Sequence, residues 1–498
     1  MTLSLSRIDL IRTRNFIGGQ WVKSSDATFG VRDPADDSII VEIPDSDGAD
    51  AKAAVDAAST ALPAWRAAPA RVRSQVLKRW HALMLLHQED LARLISREQG
   101  KPLCEARGEI LYAASYVEWF AEEAIRTYGD VIPETIPGRK MFVVKEGVGV
   151  VAAITPWNFP AAMIARKIAP ALAAGCTVIA KPAEDTPLTS LALAALAQEA
   201  GVPAGVLNVV TASRSKAAEV VDIWLGDPRV RKITFTGSTA VGKHLARESA
   251  ATLKRLSLEL GGNAPFIVFD DADVDAAVEG LMAAKFRNGG QTCVSPNRVF
   301  VQAAVHDIFA TKLAVRVAAL RVGPASEEAS QIGPMINQQA VRKIESGGPA
   351  DRTGPVDQSR TLRRHDHVVG VKVAVAKLVA RRQALDQGED AGGDVRRNLA
   401  AAVPQVGVHP VAQREHVRWQ RRLVNGKAEV REDGARLPAR HGAAPHELQQ
   451  GWSVMALQHD AEAVCQGHHA QQLRRRAAGG EDGVGHLRLV PAEPPRMA

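Results

Sequence analysis

From Val148 onward the hydrophobic period of the chain switches repeatedly. Short continuous apolar runs, which suit buried strands, alternate with stretches whose apolar residues recur three and four positions apart, which suit helices. The runs predict strands at Val148–Ile154, Thr177–Ala180, Val206–Val210, Lys232–Phe235, Leu256–Leu260 and Phe266–Phe269. The periodic stretches predict helices at Ala161–Ala174, Leu188–Ala200, Ser213–Leu225, Thr239–Ser249 and Val274–Asn288. Before them, residues 50–128 carry further helical stretches. Strand and helix in strict turn argue for an α/β fold, a parallel sheet with helices on both faces. Such sheets bind ligands beyond the carboxyl ends of their strands, where the loops gather.

The alternation stops near Glu345, and composition changes with it. Residues 346–498 contain no Phe, no Tyr and no Ile, and hold ten of the fourteen His. They carry 23 Lys+Arg against 17 Asp+Glu, whereas the first 345 residues carry 39 and 38. The net charge of +7 therefore belongs almost wholly to the last third, and the body is electrically balanced. Without Ile, Phe and Tyr, burial in that segment depends on Val, Leu, Ala, Trp419 and Trp452. A GC-rich coding sequence read out of frame gives this mixture of Arg, Ala, Gly, Pro, His and Gln. A disordered basic tail or a nucleic-acid arm gives a similar one, but arginine without aromatic platforms is a weak nucleic-acid signature. The frame slip suits the composition best, and no nucleic-acid partner is expected.

Four cysteines (Cys104, Cys176, Cys293 and Cys465) are too few for a disulfide framework in 498 residues. No run approaches the ~20 apolar residues of a membrane span. The N-terminus lacks an apolar core followed by a small-residue cleavage site. A cytoplasmic protein without a membrane partner is the expectation.

Three glycine patterns compete for a nucleotide. Gly147-Val-Gly149-Val-Val-Ala152 matches G-x-G-x-x-A, yet Thr155-Pro156-Trp157-Asn158 follows where that fingerprint needs a helix start, so it reads as plain strand. Gly237-Ser-Thr-Ala-Val-Gly242-Lys243 mimics a phosphate loop, but His244 stands where magnesium coordination needs Ser or Thr. What remains at Gly237-Ser238 is a strand turning into a helix, whose free amides can meet a pyrophosphate.

Chemistry concentrates at three places. Cys293 follows Gly289-Gly290-Gln291-Thr292, a polar, glycine-rich setting that favours a reactive thiol over a buried one. Glu259 ends an apolar strand between Leu258 and Leu260, a sheltered place for a general base. Asn158 follows Pro156-Trp157 at the end of another strand, where its amide can donate to a developing oxyanion. No residue cluster calls for a metal.

Thr155-Pro156-Trp157-Asn158-Phe159-Pro160, Lys181-Pro182-Ala183-Glu184-Asp185-Thr186-Pro187, Phe235-Thr236-Gly237-Ser238-Thr239, Glu259-Leu260-Gly261-Gly262 and Gly290-Gln291-Thr292-Cys293 resemble, in order, the motif series of the NAD(P)-dependent aldehyde dehydrogenases. The resemblance runs from about Phe16 to about Glu345. It implies a cofactor domain over residues 1–258, the first part of a catalytic domain over 259–345, and an anomalous basic segment over 346–498. It also implies roles: Cys293 as nucleophile, Asn158 as oxyanion donor and Glu259 as base. Thr155, Trp157, Lys181, Glu184, Gly237, Ser238 and Gly261 would line the NAD site, with Lys181 and Glu184 on the adenosine ribose. A carboxylate at Glu184 repels a 2′-phosphate, which favours NAD while leaving NADP open.

Within the family, the segments around Arg166 and Arg287 most resemble the succinate-semialdehyde dehydrogenases, in which the matching residues hold the distal carboxylate of a small aldehyde. A second cysteine found in some relatives two positions after the nucleophile is Ser295 here, so a disulfide switch is not expected. The family completes its catalytic domain after about residue 345, with an E-E-x-F-G-P motif that positions the nicotinamide and a strand used in homo-oligomers. A segment without Phe lacks that motif, so weak activity, a poorly folded last third and a doubtful oligomer are expected.

Overall fold

The computed structural model describes residues 5–23 and 26–345 together with the strand Val369–Gly370. The chain is divided after Ala439, and every described residue belongs to the first unit, Met1–Ala439. Apart from Val369–Gly370, what the sequence predicts for residues 346–498 lies outside the described residues.

The first unit opens with β1 (Asn15–Ile17), β2 (Gln20–Val22), β3 (Thr28–Arg32) and β4 (Ile39–Pro44). Four helices follow: α1 (Gly48–Ala67), α2 (Ala70–Leu86), α3 (Gln88–Gln99) and α4 (Leu103–Ala124). After the hairpin β5 (Asp130–Ile132) and β6 (Met141–Val143), strand and helix alternate. They are β7 (Val150–Ile154), α5 (Pro160–Ala173), β8 (Thr177–Lys181), α6 (Pro187–Glu199), β9 (Leu207–Val209), α7 (Ala217–Gly226), β10 (Val230–Thr236), α8 (Thr239–Ser249) and β11 (Arg255–Glu259). The remainder is β12 (Pro265–Val268), α9 (Val274–Phe286), β13 (Arg298–Val301), α10 (Ala303–Ala318), α11 (Gln338–Glu345) and β14 (Val369–Gly370).

Seven strands form the main sheet in the order β11-β10-β7-β8-β9-β1-β2. The five from β7 to β11 are parallel, as the alternation predicts. The antiparallel edge of β1 and β2 is an addition that short, polar-interrupted segments did not advertise. From β7 the chain winds outward through β8 to β9, then crosses back to β10 on the other side of β7. The reversal between β7 and β10 opens a crevice at their carboxyl ends.

Period-2 side chains seal the sheet on both faces. Val151, Ala153, Val178 and Ala180 pack into a cluster with α2 to α6, and Val150, Ala152 and Ile179 into another with α1, α7 and α8. The two helices after β7 and β8 begin with a proline and have no side-chain cap of their own. Buried glutamates from neighbouring helices supply the missing acceptors. Glu109 of α4 accepts from Ala161 and Ala162 N–H at 2.9 and 3.2 Å, and Glu98 of α3 from Leu188 and Thr189 N–H at 2.7 and 2.8 Å. Carboxylates at helix N-termini satisfy orphan amides and suit the dipole.

Two predicted helices are shorter than their apolar periods. Ser213 donates through its N–H and hydroxyl to Asp45, so α7 starts only at Ala217. Asn288 and Gly289 have φ of 52° and 62°, which ends α9 at Phe286 and turns the chain toward Cys293. Gly147 belongs to no phosphate loop: a Cβ there would lie 2.7 Å from the Ala174 carbonyl, so its role is close backbone packing.

The smaller sheet has β12 and β13 in parallel with β14 antiparallel to β13. One face packs on α9 and α10 through Val268, Leu281, Phe286, Val299, Phe309 and Leu313. Ile267 and Phe269 point the other way and are exposed, as are Ile308 and Val315 on α10. Among the described residues no helix is long and apolar enough to cross a membrane, and no group of three His, Cys, Asp or Glu is placed to hold a metal.

Candidate active site

The ends of β7, β8, β10 and β11 carry the residues the sequence singles out. Thr155 N–H donates to the Lys181 carbonyl at 3.2 Å, and Gly237 N–H to the Glu259 carbonyl at 3.0 Å, so register holds these ends side by side. Two hydroxyls at the reversal point, Thr155 Oγ1 and Thr236 Oγ1, are buried without a hydrogen-bond partner. Buried polar atoms are normally paired, so both hydroxyls are available to a polar partner at these strand ends. Ser238 caps α8 by accepting from Val241 N–H at 3.4 Å, and that first turn is exposed. Nothing lies within 4 Å of where a Cβ on Gly261 would be, so its backbone borders open space. Trp157 is half-buried, and its carbonyl accepts from the Thr186 hydroxyl at 3.4 Å.

Lys181 is buried, with its ammonium 3.9 Å from Glu184. Burial depresses its pKa, against the pull of Glu184. Arg214 reaches Glu184 at 2.7 Å and donates to Gln339 at 2.9 Å. Burial alone would raise the Glu184 pKa, but Lys181 and Arg214 outweigh it and hold the carboxyl below the usual range. Arg214 was not picked out from the sequence; it lies thirty residues away in a polar loop, and only the fold brings it there.

Asn158 is half-buried and held on several sides. Its side-chain Nδ2 donates to the Gln291 carbonyl at 3.0 Å. Its own carbonyl accepts from Lys101 Nζ at 2.9 Å and Asn288 Nδ2 at 3.1 Å. The amide has two N–H groups, and the Gln291 bond uses one. Gln291 itself is fixed by Ile336 N–H at 3.1 Å, and Asn288 N–H donates to Glu105 at 2.7 Å. Cys293 sits exposed in the turn that follows, and a Cβ on Gly262 would come within 3.5 Å of its carbonyl. The accessible thiol is as the glycine-rich setting predicts.

Glu259 departs from expectation. It is exposed, so Leu258 and Leu260 do not shelter it. Successive strand residues face opposite ways, and the leucines turn inward from an edge strand while Arg255, Ser257 and Glu259 turn outward. Facing the same region is a residue the motifs contained but the sequence reading passed over. Lys167 follows Arg166, is buried, and lies 3.4 Å from Thr234 Oγ1. Burial, helped by Arg166 and opposed by Glu259, pushes its pKa down to about 8.

Arg166 and Arg287 are both half-buried. Arg166 lies over the Tyr116 ring at 5.4 Å and Arg287 over Phe159, next to Asn158, at 4.9 Å. Neither forms an ion pair with a carboxylate among the described residues. Cation–π contact fixes a guanidinium plane while leaving its donors free.

At the carboxyl end of the doubly wound sheet, the Asn158 amide is bonded to the Gln291 carbonyl, two residues before the exposed Cys293. The chain belongs to the aldehyde dehydrogenase family, whose model matches residues 21–348. It is 54% identical over 344 residues to glutarate-semialdehyde dehydrogenase of Pseudomonas putida, covering 69% of this chain and 71% of that one. It is 52% identical over 344 residues to the NADP(+) succinate-semialdehyde dehydrogenase of Escherichia coli, with the same coverage. The crystal structure of succinate-semialdehyde dehydrogenase from Burkholderia pseudomallei superposes with a TM-score of 0.68 at 52% identity, over 69% of this chain and 71% of that one. The family match ends within a few residues of Glu345, where the composition changes.

Proposed function

We propose that this site oxidises a small aldehyde bearing a distal carboxylate, such as succinate semialdehyde, to the corresponding acid with NAD or NADP. The observation that carries the reading is the pair of half-buried arginines, Arg166 over the Tyr116 ring and Arg287 over the ring of Phe159 next to Asn158, neither ion-paired with a carboxylate among the described residues. Partly desolvated guanidinium groups gain most from a ligand carboxylate held by two hydrogen bonds. The relatives named for succinate and glutarate semialdehydes support it, since both compounds carry such a group.

The Cys293 thiolate attacks the aldehyde carbon, and the oxyanion formed meets the free N–H of the Asn158 amide and the Cys293 backbone N–H. When bound, the nicotinamide supplies the hydride acceptor. Cys293 then holds the acyl group as a thioester, and Glu259, already in contact with solvent, takes a proton from the water that releases it. The residues suited to hold the cofactor are Thr155, Trp157, Lys181, Glu184, Gly237, Ser238 and Gly261. Glu184 favours NAD, and Arg214 offsets part of its repulsion toward a 2′-phosphate. A reducing cytoplasm suits the free thiol, and the exposed apolar hairpin of Val131 and Phe142 suits a homo-oligomer.

The purified full chain is tested with succinate semialdehyde and NAD by NADH absorbance. Arg287→Ala is expected to raise KM for succinate semialdehyde about 10- to 100-fold more than for an uncharged aldehyde, the worth of a charged hydrogen bond. Equal effects on both would refute the carboxylate reading.

A second reading, a chain of the same family with defective catalysis, is favoured by the exposed apolar residues Ile267, Phe269, Ile308 and Val315 and by the absence of Phe after residue 345. Turnover at ordinary enzyme rates, about 1–1000 per second, would remove it.

A further inference from the structure

We propose that Lys101, charge-balanced by Glu109, is the positioning residue that aims the Asn158 amide at the oxyanion formed on the substrate; this rests on the reading of Asn158 as oxyanion donor. Lys101 and Glu109 are both buried, and they pair with each other. The pair divides its remaining bonds between two tasks. Glu109 uses its other oxygen on the Ala161 and Ala162 amides, the first turn of α5. Lys101 Nζ donates to the Asn158 carbonyl at 2.9 Å and stands 3.8 Å from the Phe159 ring centroid.

The peptide linking Asn158 to Phe159 is therefore gripped from both ends. A bond to the carbonyl fixes ψ of Asn158, and capping α5 fixes where the next residues begin. Asn288 adds a second donor to the same carbonyl, and its own N–H is held by Glu105, about one turn before Glu109 on α4. With its carbonyl fixed, Asn158 can send one side-chain N–H to Gln291 and leave the other directed outward. A buried ammonium is costly, and a fully buried ion pair is weak support for stability by itself. Here one bond of the ammonium goes to the backbone of the oxyanion donor, which gives the pair a task beyond holding helices together.

The test separates aim from fold by using two reagents on Cys293 of the full chain, neither needing a cofactor. p-Nitrophenyl acetate acylates the thiolate: the S–C bond forms through a tetrahedral oxyanion, and the C–O bond breaks to release p-nitrophenolate. Iodoacetamide alkylates it by direct displacement of iodide, with no oxyanion. Lys101→Met, and the neutral double variant Lys101→Met with Glu109→Gln, should slow acylation about 10-fold or more, in the range that small misplacement costs. Alkylation should change less than about twofold, since that displacement builds no oxyanion. In an Asn158→Ala background the same changes should slow acylation no further. Unchanged acylation in the double variant, parallel loss of both reactions, or a full further loss in the Asn158→Ala background would each overturn the proposal. If Asn158→Ala alone leaves acylation intact, it is the oxyanion reading of Asn158 that fails.

Discussion

The two sheets of this molecule are built to different standards. The seven-stranded sheet is covered on both faces, and its central strands β7 and β8 are buried almost throughout. The β12–β13 sheet is covered on one face and leaves Ile267 and Phe269 in solvent on the other. The candidate cofactor residues sit on the sealed sheet, while Cys293 sits on a turn attached to the half-covered one. Hydrogen bonds from Asn158 to Gln291 and from Asn288 to Glu105 and Asn158 tie that turn to the sealed body. Precision at the thiol is thus borrowed from the better-packed region.

Breaking the sealed sheet should cost most. Trp224 is fully buried against it, and its indole N–H donates to the Ala51 carbonyl at 3.1 Å. Trp224→Ala is expected to lose about 3–5 kcal/mol in urea unfolding, the usual cost of emptying an aromatic core site. A loss below about 1 kcal/mol would mean that the sheet is not packed as described.

A smaller effect comes from the charge buried beside that sheet. With a folded pKa of about 8 against roughly 10.4 unfolded, Lys167 lets the unfolded chain bind more protons between those values. Stability should therefore rise as pH increases from about 8 to about 10, by up to roughly 3 kcal/mol from this group, and level off below about 8, where both states hold the proton. Lys167→Met should remove that share of the slope. An unaltered slope would show that Lys167 is solvated.

The least effect is expected on the open face. Ile267→Ser should change stability by no more than about 0.5 kcal/mol, as exposed substitutions do. A loss of 2 kcal/mol or more would show the face to be covered, and would draw the two sheets closer in kind.

Much of the parallel sheet was legible because its signals are local: an apolar run, a turn, a helical period. The helix α8, Thr239–Ser249, ends where its period ends. The ordered motifs likewise fall at the ends of the parallel strands, where the candidate site lies. Illegible were features set by distant contacts. Nothing near Lys101 or Arg214 announces that one is buried under Asn158 and the other paired with Glu184. The orientation of Glu259 is set by strand pleating, which puts the flanking leucines on the opposite face and leaves the carboxylate exposed.

The sequence by itself determined the alternation of elements, the family, the types of reactive group and the place where the family pattern ends, because each is written in neighbouring residues. Only the tertiary structure decided which groups are buried, which carboxylate meets which cation, and how the Asn158 amide is aimed. Those depend on desolvation and on partners far apart in the chain, 133 residues in the Asn158–Gln291 bond and 183 in the Asn288–Glu105 bond, and a linear pattern carries no measure of either.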